Sequence, residues 1–410
     1  MVKTLLKDVI KTNTNSYQKI DNWEYINYLD TGNLTENNIS EIVLFKPSID
    51  KIPSRAKRKV KVGDILYSTV RPNQKHYGYI DKEYDNLLVS TGYIVIEPNN
   101  KIINGKYLYY YLTQDKIVNY LQTIAENTVA TYPSISPKDI EDLVVDLPSL
   151  QNQNKMASIL SNYDNLIENN NKRIKILEEM AQKIYKEWFV DFKFPGYETT
   201  TFKQTELGDI PTNWEVANIE KYYNTSSGGT PSRKQLSYYD NGNINWIKTG
   251  ELKNTFVIDT EEKITEKAIK NSSAKVFPTN TVTLAMYCGM GDISIMSKPM
   301  ATNQACCVFL PKYDYLEYPF SYLFFCNITK EMINISFGAA QQNLSQEVIK
   351  AYIVKFPNKE ILLDFNKIIK PVFENIKNLL YKNQTLKQMR DLLLPRLISG
   401  EIDVENLEVI

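Results

Sequence analysis

The sequence predicts an α+β protein: two tandem mixed α/β domains separated by two long helices that pack as an antiparallel coiled coil. Three observations carry this expectation. The chain repeats itself, each repeat passes from short apolar runs into a helical stretch, and the two helical stretches share one heptad spacing.

The repeat comes first, because internal duplication constrains architecture before any local pattern does. Ile26-Asn27-Tyr28-Leu29-Asp30-Thr31-Gly32 parallels Ile244-Asn245-Trp246-Ile247-Lys248-Thr249-Gly250, 218 residues further on. Ser136, Ile140, Val145 and Pro148 recur as Ser345, Ile349, Val354 and Pro357 at an offset of 209, and the match runs ungapped to Met180 and Met389. In the mixed segments, runs such as Val89–Ile96 and Ala305–Leu310 read as buried strands bounded by turn-forming residues. The 28 tyrosines belong to a general bias toward Lys, Asn, Ile and Tyr, so their abundance alone does not define a base-stacking surface.

The helical segments are read from their spacing. Met156, Leu160, Tyr163, Ile167, Asn170, Ile174, Leu177, Ala181, Ile184 and Trp188 alternate steps of four and three, an a/d seam longer than four heptads. A second seam follows 209 residues later: Phe365, Ile369, Val372, Ile376, Leu379, Asn383, Leu386, Arg390, Leu393 and Leu397, interrupted by Asn383 and Arg390. A polar-backed helix of this length needs a partner, and two matched seams satisfy one another. The predicted interface is Leu160, Tyr163, Ile167, Asn170, Ile174 and Leu177 against Ile369, Val372, Ile376, Leu379, Asn383 and Leu386. Two-fold pairing of the seams about their centres puts residue i opposite 553 − i, so that Asn170 faces Asn383. Pro148-Ser149 and Pro357-Asn358 start the helices with cap-type residues, and Phe194-Pro195-Gly196 stops the first. The expected divisions are 1–147 for the first mixed domain, 148–194 for the central helix and 195–206 for a linker. They continue with 207–356 for the second mixed domain, 357–400 for the C-terminal helix and 401–410 for an acidic tail.

Composition removes several functional classes. Lys plus Arg equals Asp plus Glu at 48 each, so net charge names no partner. No apolar run nears the roughly 18 residues of a spanning helix, so no membrane partner is expected and a cytoplasmic location is. Four cysteines without a CxxC pair and the single His76 argue against a disulfide framework or a metal site. No GxxxxGK[ST] loop is present, and His76 is the only imidazole available to a nucleophile. No catalytic residue is therefore assigned. The one enzymatic alternative, a metal-dependent nuclease or self-contained DNA modification enzyme, rests on Asp240 followed by Glu251 and Lys253. Its weakness lies in the repeat, which puts Asn33 where Glu251 stands.

Binding signals are local. Between positions 51 and 75 eight bases face one acid, Asp64, and they flank the predicted strand 64–70. That strand would deliver Arg71, Asn73, Gln74, Lys75 and His76 at its end, beside the cluster Arg55, Lys57, Arg58 and Lys59. Arg, Asn and Gln have the bidentate geometry that purine edges require, whereas clustered Lys suits phosphates. In the second domain Arg233, Lys234, Gln235 and Tyr238, with Gln341 and Gln342, offer the same residue types. From charge alone a solvated loop fits as well; position at the end of a strand is what favours nucleic-acid contact, and a protein-interaction adaptor is the bland alternative.

With these features in hand, the chain resembles the DNA specificity subunit of type I restriction-modification systems. The resemblance is carried by Leu207-Gly208-Asp209-Ile210-Pro211-Thr212-Asn213-Trp214-Glu215, then Gly228-Gly229-Thr230-Pro231-Ser232, then Trp246-Ile247-Lys248-Thr249-Gly250-Glu251-Leu252, in the order in which such a target recognition domain opens. The first half lacks the Ile-Pro-x-x-Trp opening and the Gly-Gly-Thr-Pro loop. The resemblance implies a non-catalytic subunit with two target recognition domains, each reading half of a bipartite target, spaced by two conserved helices. It implies assembly with two methyltransferase subunits and with restriction/translocase subunits. S-adenosylmethionine, ATP and Mg²⁺ would then be held by those partners and none by this chain.

Overall fold

The computed structural model describes residues 2–128, 133–338 and 344–405. The chain divides into two compact units, Met1–Ile167 with Leu386–Ile410, and Glu168–Thr385. The division falls inside both long helices rather than at residues 147 and 207, so each unit contains a stretch of each helix.

In the first unit an antiparallel sheet runs in the order Ile10–Thr12, Tyr93–Pro98, Ile65–Ser68, Tyr77–Tyr79. A second sheet runs Val43–Phe45, Ile26–Leu29, Leu87–Ser90, Ala56–Lys59, with its central pair parallel. Strand Val2–Leu5 pairs with Val144–Leu147. The apolar runs are continuous because both faces of the first sheet are covered. Ile65 and Tyr67 pack with the helix Gly105–Leu112, while Leu66 packs with Leu29 and Leu87 of the second sheet, as the two-residue period of a strand requires.

The second unit repeats this plan. Its antiparallel sheet runs Tyr223–Ser227, Cys306–Pro311, Val282–Ala285, Ile293–Met296, extended by Phe256–Val257. Its other sheet runs Lys263–Ile264, Ile244–Ile247, Met300–Thr302, Val276–Phe277, again with a parallel central pair. Strand Glu215–Asn218 pairs with Ile353–Phe356 and is the counterpart of Val2–Leu5. The hairpin Phe202–Thr205 with Gly208–Pro211 precedes it. This corrects the expected linker at 195–206, whose second half is strand. Trp214 of the Ile-Pro-x-x-Trp segment is buried against Phe189, Phe192 and Phe194.

The central helix spans Leu150–Tyr185 and the C-terminal helix Lys359–Ile398. Ser149 Oγ accepts the backbone N–H of Asn152, satisfying one free donor of the first turn. Lys186–Val190 follows as a single π turn closed by Asp191 N–H to the Lys186 carbonyl, and both Trp188 and Phe189 on this widened turn are buried in the core. Pro371 and Pro395 lie inside the C-terminal helix, where each removes a helical hydrogen bond. Burial of Ile369, Phe373, Leu394 and Leu397 beside them holds the helix through these gaps.

Within the first unit Met156, Ala157 and Leu160 share a core with Leu394, Leu397 and Ile398 and with Leu6 and Val9. Asp164 there accepts from the Arg390 guanidinium and the Tyr110 hydroxyl. Arg390, an interruption in the sequence pattern, is thus a paired charge, and the carboxylate holds its pKa above the ordinary arginine value against the cost of burial. The described part of the expected tail is also anchored. Val404 is buried, and its carbonyl accepts from Lys155 Nζ at 3.1 Å.

Within the second unit Ile174, Ala181, Tyr185 and Trp188 pack with Phe365, Ile369, Ile376 and Leu379. Asn170 Nδ2 donates to Asn383 Oδ1 at 2.8 Å, and Asn383 Nδ2 donates to Asn171 Oδ1 at 2.8 Å. The Trp188 and Phe365 rings, 5.5 Å apart, fit the same antiparallel register. Asn383→Leu should therefore cost about 1–3 kcal/mol in chemical denaturation, because it strands the Asn170 amide against an apolar side chain. Adding Asn170→Leu should recover most of the loss; a double variant no more stable than Asn383→Leu would show that the pair does not set the seam.

Candidate nucleic-acid interface

The first domain presents its polar residues from one hairpin. Ile65–Ser68 pairs with Tyr77–Tyr79, Tyr67 opposite Tyr77, and the strand Ile65–Ser68 is wholly buried. The connecting loop is tied down at its base. Thr69 N–H donates to the Gly92 carbonyl at 2.8 Å, and Ser68 N–H to the His76 carbonyl at 2.9 Å. Arg71 follows at φ 48° and donates its N–H to the Pro133 carbonyl; the buried Pro72 then opens a short 3₁₀ turn over Pro72–Gln74 that ends at Lys75, φ 56°. Left-handed backbone at two non-glycine residues is costly, of the order of 1 kcal/mol or more each, and persists where surrounding contacts impose it.

These contacts sort the predicted residues. Lys75 Nζ lies 3.0 Å from Asp115 and 3.6 Å from Glu36, so it braces the loop. His76 Nδ1 lies 2.7 Å from the Leu34 carbonyl and 3.0 Å from Thr35 Oγ1, and is also anchored. Asn73 is fixed through its backbone N–H to Gln122, which leaves its side chain exposed. Arg71, Asn73 and Gln74 are all exposed, and their side chains have no hydrogen-bonding or ionic partner among the described residues.

The basic cluster sorts in the same way. Ala56–Lys59 is the edge strand of the second sheet. Lys59 pairs with Asp21, whose carboxyl it holds below the usual range, and lies 5.3 Å over the Trp23 ring. Arg58 is half-buried, and desolvation lowers its pKa. Arg55 and Lys57 remain exposed. Burial raises Asp64, the lone acid of this stretch, to about 6.

The second domain departs from expectation. Arg233 is committed to Glu262, with both guanidinium nitrogens on the carboxylate, and stacks 4.5 Å from the Tyr239 ring and 5.2 Å from that of Trp246. Tyr238 is half-buried in the same cluster, whereas Lys234 and Gln235 are exposed. Gln341 and Gln342 lie outside the described residues. The adjoining Gly-Gly-Thr-Pro loop is a packing device: a Cβ on Gly228 would meet the Thr302 carbonyl oxygen at 1.9 Å, one on Gly229 the Ser273 hydroxyl at 2.0 Å, and Trp246 Nε1 donates to the Gly229 carbonyl. The segment 232–238 joins strands Tyr223–Ser227 and Ile244–Ile247, so its counterpart in the first domain is 13–25, not the hairpin carrying Arg71. The sets chosen from sequence thus occupy different places in the two copies, because charge and amide content guided the choice and not topology. Both carboxylate oxygens of Glu251 accept backbone N–H groups, from Lys248 and Glu261, so it serves as a local cap. Among the described residues no group of three or more His, Cys, Asp or Glu could hold a metal ion, and no helix is long and apolar enough to cross a membrane.

A duplicated two-sheet domain fused to paired helices, with exposed Arg, Asn and Gln on a braced loop, defines a tandem recognition protein. The description "Type I restriction modification DNA specificity domain" matches residues 2–179 and again 211–388, and the chain belongs to that family. It is 28% identical to the type I restriction enzyme HindI specificity subunit of Haemophilus influenzae, over 92% of this chain and 94% of that protein. It is 27% identical to the MjaIX specificity subunit of Methanocaldococcus jannaschii, over 94% and 85%. The crystal structure of the type I restriction-modification S subunit from M. genitalium shares the fold at a TM-score of 0.57 and 14% identity, covering 97% and 95%. The chain is therefore a non-catalytic DNA-recognition subunit, and its partners are DNA and the other subunits of a type I system.

The Arg233–Glu262 pair gives a pH signature. Arg233 first, and then Lys248, draw the Glu262 carboxyl down to about 2. A depressed carboxyl stabilises the fold above its unfolded pKa of about 4.5, and the contribution is lost as pH falls through the range from there to about 2. The gap in Tm between the native chain and Glu262→Gln should be open at pH 6 and close near pH 2; a gap independent of pH would place the stabilisation elsewhere.

Proposed function

We propose that each domain reads one half of a bipartite double-stranded DNA target and that the paired helices set the distance between the halves. The observation that carries this reading is the recurrence of one strand order, with one parallel central pair, in two copies within a single chain. A subunit that needed one contiguous site would have no use for the second copy. In the first domain Arg71, Asn73 and Gln74 read base edges, Arg55 and Lys57 contact phosphates, and Lys75, His76 and Lys59 hold the loop and edge strand that present them. In the second, Lys234 and Gln235 remain as solvent-facing contacts. Two methyltransferase subunits and the restriction/translocase subunits complete the complex and hold S-adenosylmethionine, ATP and Mg²⁺. The seven-residue repeat of each seam leaves outward apolar side chains such as Ile176, Met180, Ile368 and Leu392 for helices of those partners.

Two experiments on the assembled complex test this. Arg71→Ala should relax discrimination at one base pair by about 1–3 kcal/mol, while Lys57→Ala should weaken all sequences together and lower the salt slope by about one unit. Selection from a random DNA library reads both effects; an unchanged consensus in Arg71→Ala would make that residue a backbone contact. The helices give the second test. Removing one heptad from both shortens each by about 10 Å, close to three base pairs at 3.4 Å, so the preferred spacer should contract while both half-site sequences stay the same. Altered half-site bases with the original spacer would refute the ruler.

A further inference from the structure

We infer that the base-reading element of the second domain is the hairpin tip Tyr287-Cys288-Gly289, and that it reads by apolar contact with a thymine methyl group. This rests on the reading of the chain as a two-domain DNA binder with Arg71 on the corresponding tip. The correspondence is fixed by strand order and register. In the first domain the hairpin is Ile65–Ser68 with Tyr77–Tyr79, third and fourth in its sheet; in the second it is Val282–Ala285 with Ile293–Met296, again third and fourth. Leu284 stands opposite Ile293 as Tyr67 stands opposite Tyr77.

The hydrogen bonds at the base of the loop recur as well. Thr69 N–H donates to the Gly92 carbonyl, and Met286 N–H donates to the Ala305 carbonyl at 2.9 Å. Ser68 N–H closes the loop on the His76 carbonyl, and Ala285 N–H closes it on the Asp292 carbonyl at 2.9 Å. Counting forward from the shared anchor, Cys288 takes the place of Arg71, with Tyr287 before it.

The chemistry at this place differs. Tyr287 is 38% exposed, Cys288 and Gly289 are exposed, and the Tyr287 hydroxyl has no partner among the described residues. The left-handed turns that Arg71 and Lys75 make in the first domain are made here by Gly289 at φ 83° and Gly291 at φ 97°. A Cβ on Gly291 would meet Ile333 at 2.9 Å, so the loop is held close to the domain. The tip carries no cation and no amide. Its side chains, a phenol ring and a thiol, suit the methyl group that marks thymine in the major groove, not a purine hydrogen-bonding edge. Lys253 and Lys330, exposed on the walls of the open cavity that borders Met290 and Asp292, supply the phosphate contacts that the tip lacks.

The assembled complex provides the test. In library selection Tyr287→Ala should lose about 3- to 5-fold discrimination at one position of the second half-site, a thymine, the effect of burying one methyl group, and leave the first half-site intact. Replacing that thymine by deoxyuridine should weaken the native complex and leave Tyr287→Ala unaffected. Of the four cysteines only Cys288 is exposed, so alkylation with a maleimide reports on the tip without any substitution. Target DNA should protect Cys288, while DNA altered in the second half-site should not. An unchanged consensus in Tyr287→Ala together with an altered one in Lys234→Ala, or equal labelling with and without target, would overturn the assignment. A native complex that selects no consensus at all would instead remove the two-domain DNA reading beneath it.

Discussion

In each unit the largest core is closed by the two long helices and not by strands alone. The sheet carrying Ile65–Ser68 in the first unit shares its core with Met156, Leu160, Leu394 and Leu397, and the sheet carrying Val282–Ala285 in the second shares its core with Tyr185, Trp188, Phe365 and Phe373, so the two long helices belong to the cores as much as to the seam. Burial of large apolar side chains at roughly 1.5–3 kcal/mol each dominates this arrangement. Everything else is fitted to it. The π turn at Lys186–Val190 carries two successive buried aromatic residues, and two prolines are tolerated because packing beside them offsets the lost hydrogen bonds. A surface loop held by such a frame can carry strained backbone, as at Arg71, since the strain is small against the surface buried beneath it.

The polar groups in the seam have a different task. Asn170 with Asn383, and Asp164 with Arg390, contribute little net stability compared with apolar replacements of the same shape, but each leaves an unsatisfied group if the helices slide. Specificity of register is what they add. Under the proposed spacing role of the helices, a register error is a functional error even when the fold survives it.

How much of this could be read from the sequence follows from the range of each interaction. The seams, the cap at Ser149 and the duplication depend on spacing along the chain, and spacing is what a sequence displays. The hairpin that delivers Arg71 was visible because Arg is scarce and stands at the end of an apolar run. Arg233 looked equivalent by composition, yet Glu262, 29 residues away, neutralises it through a fold that no local pattern reveals. Tyr287-Cys288-Gly289 gave no signal, because an uncharged tip looks like any turn until strand order puts it beside its counterpart. The linker at 195–206 was misread for a related reason: Phe202–Thr205 alternates without a strong apolar run, and only its pairing with Gly208–Pro211 makes it a strand.

The discontinuity of the first unit bears on the order of assembly during synthesis. Residues 168–385 form a continuous stretch whose core is complete once they have left the ribosome, whereas the first unit waits for Leu394, Leu397, Ile398 and Val404, which are made after the whole second unit. Until then Leu6, Val9, Met156 and Leu160 lack the side chains that cover them. The upstream domain is therefore the late one to consolidate, with a very large loop to close, and its exposed apolar surface during that interval is where chaperone binding or premature association would act.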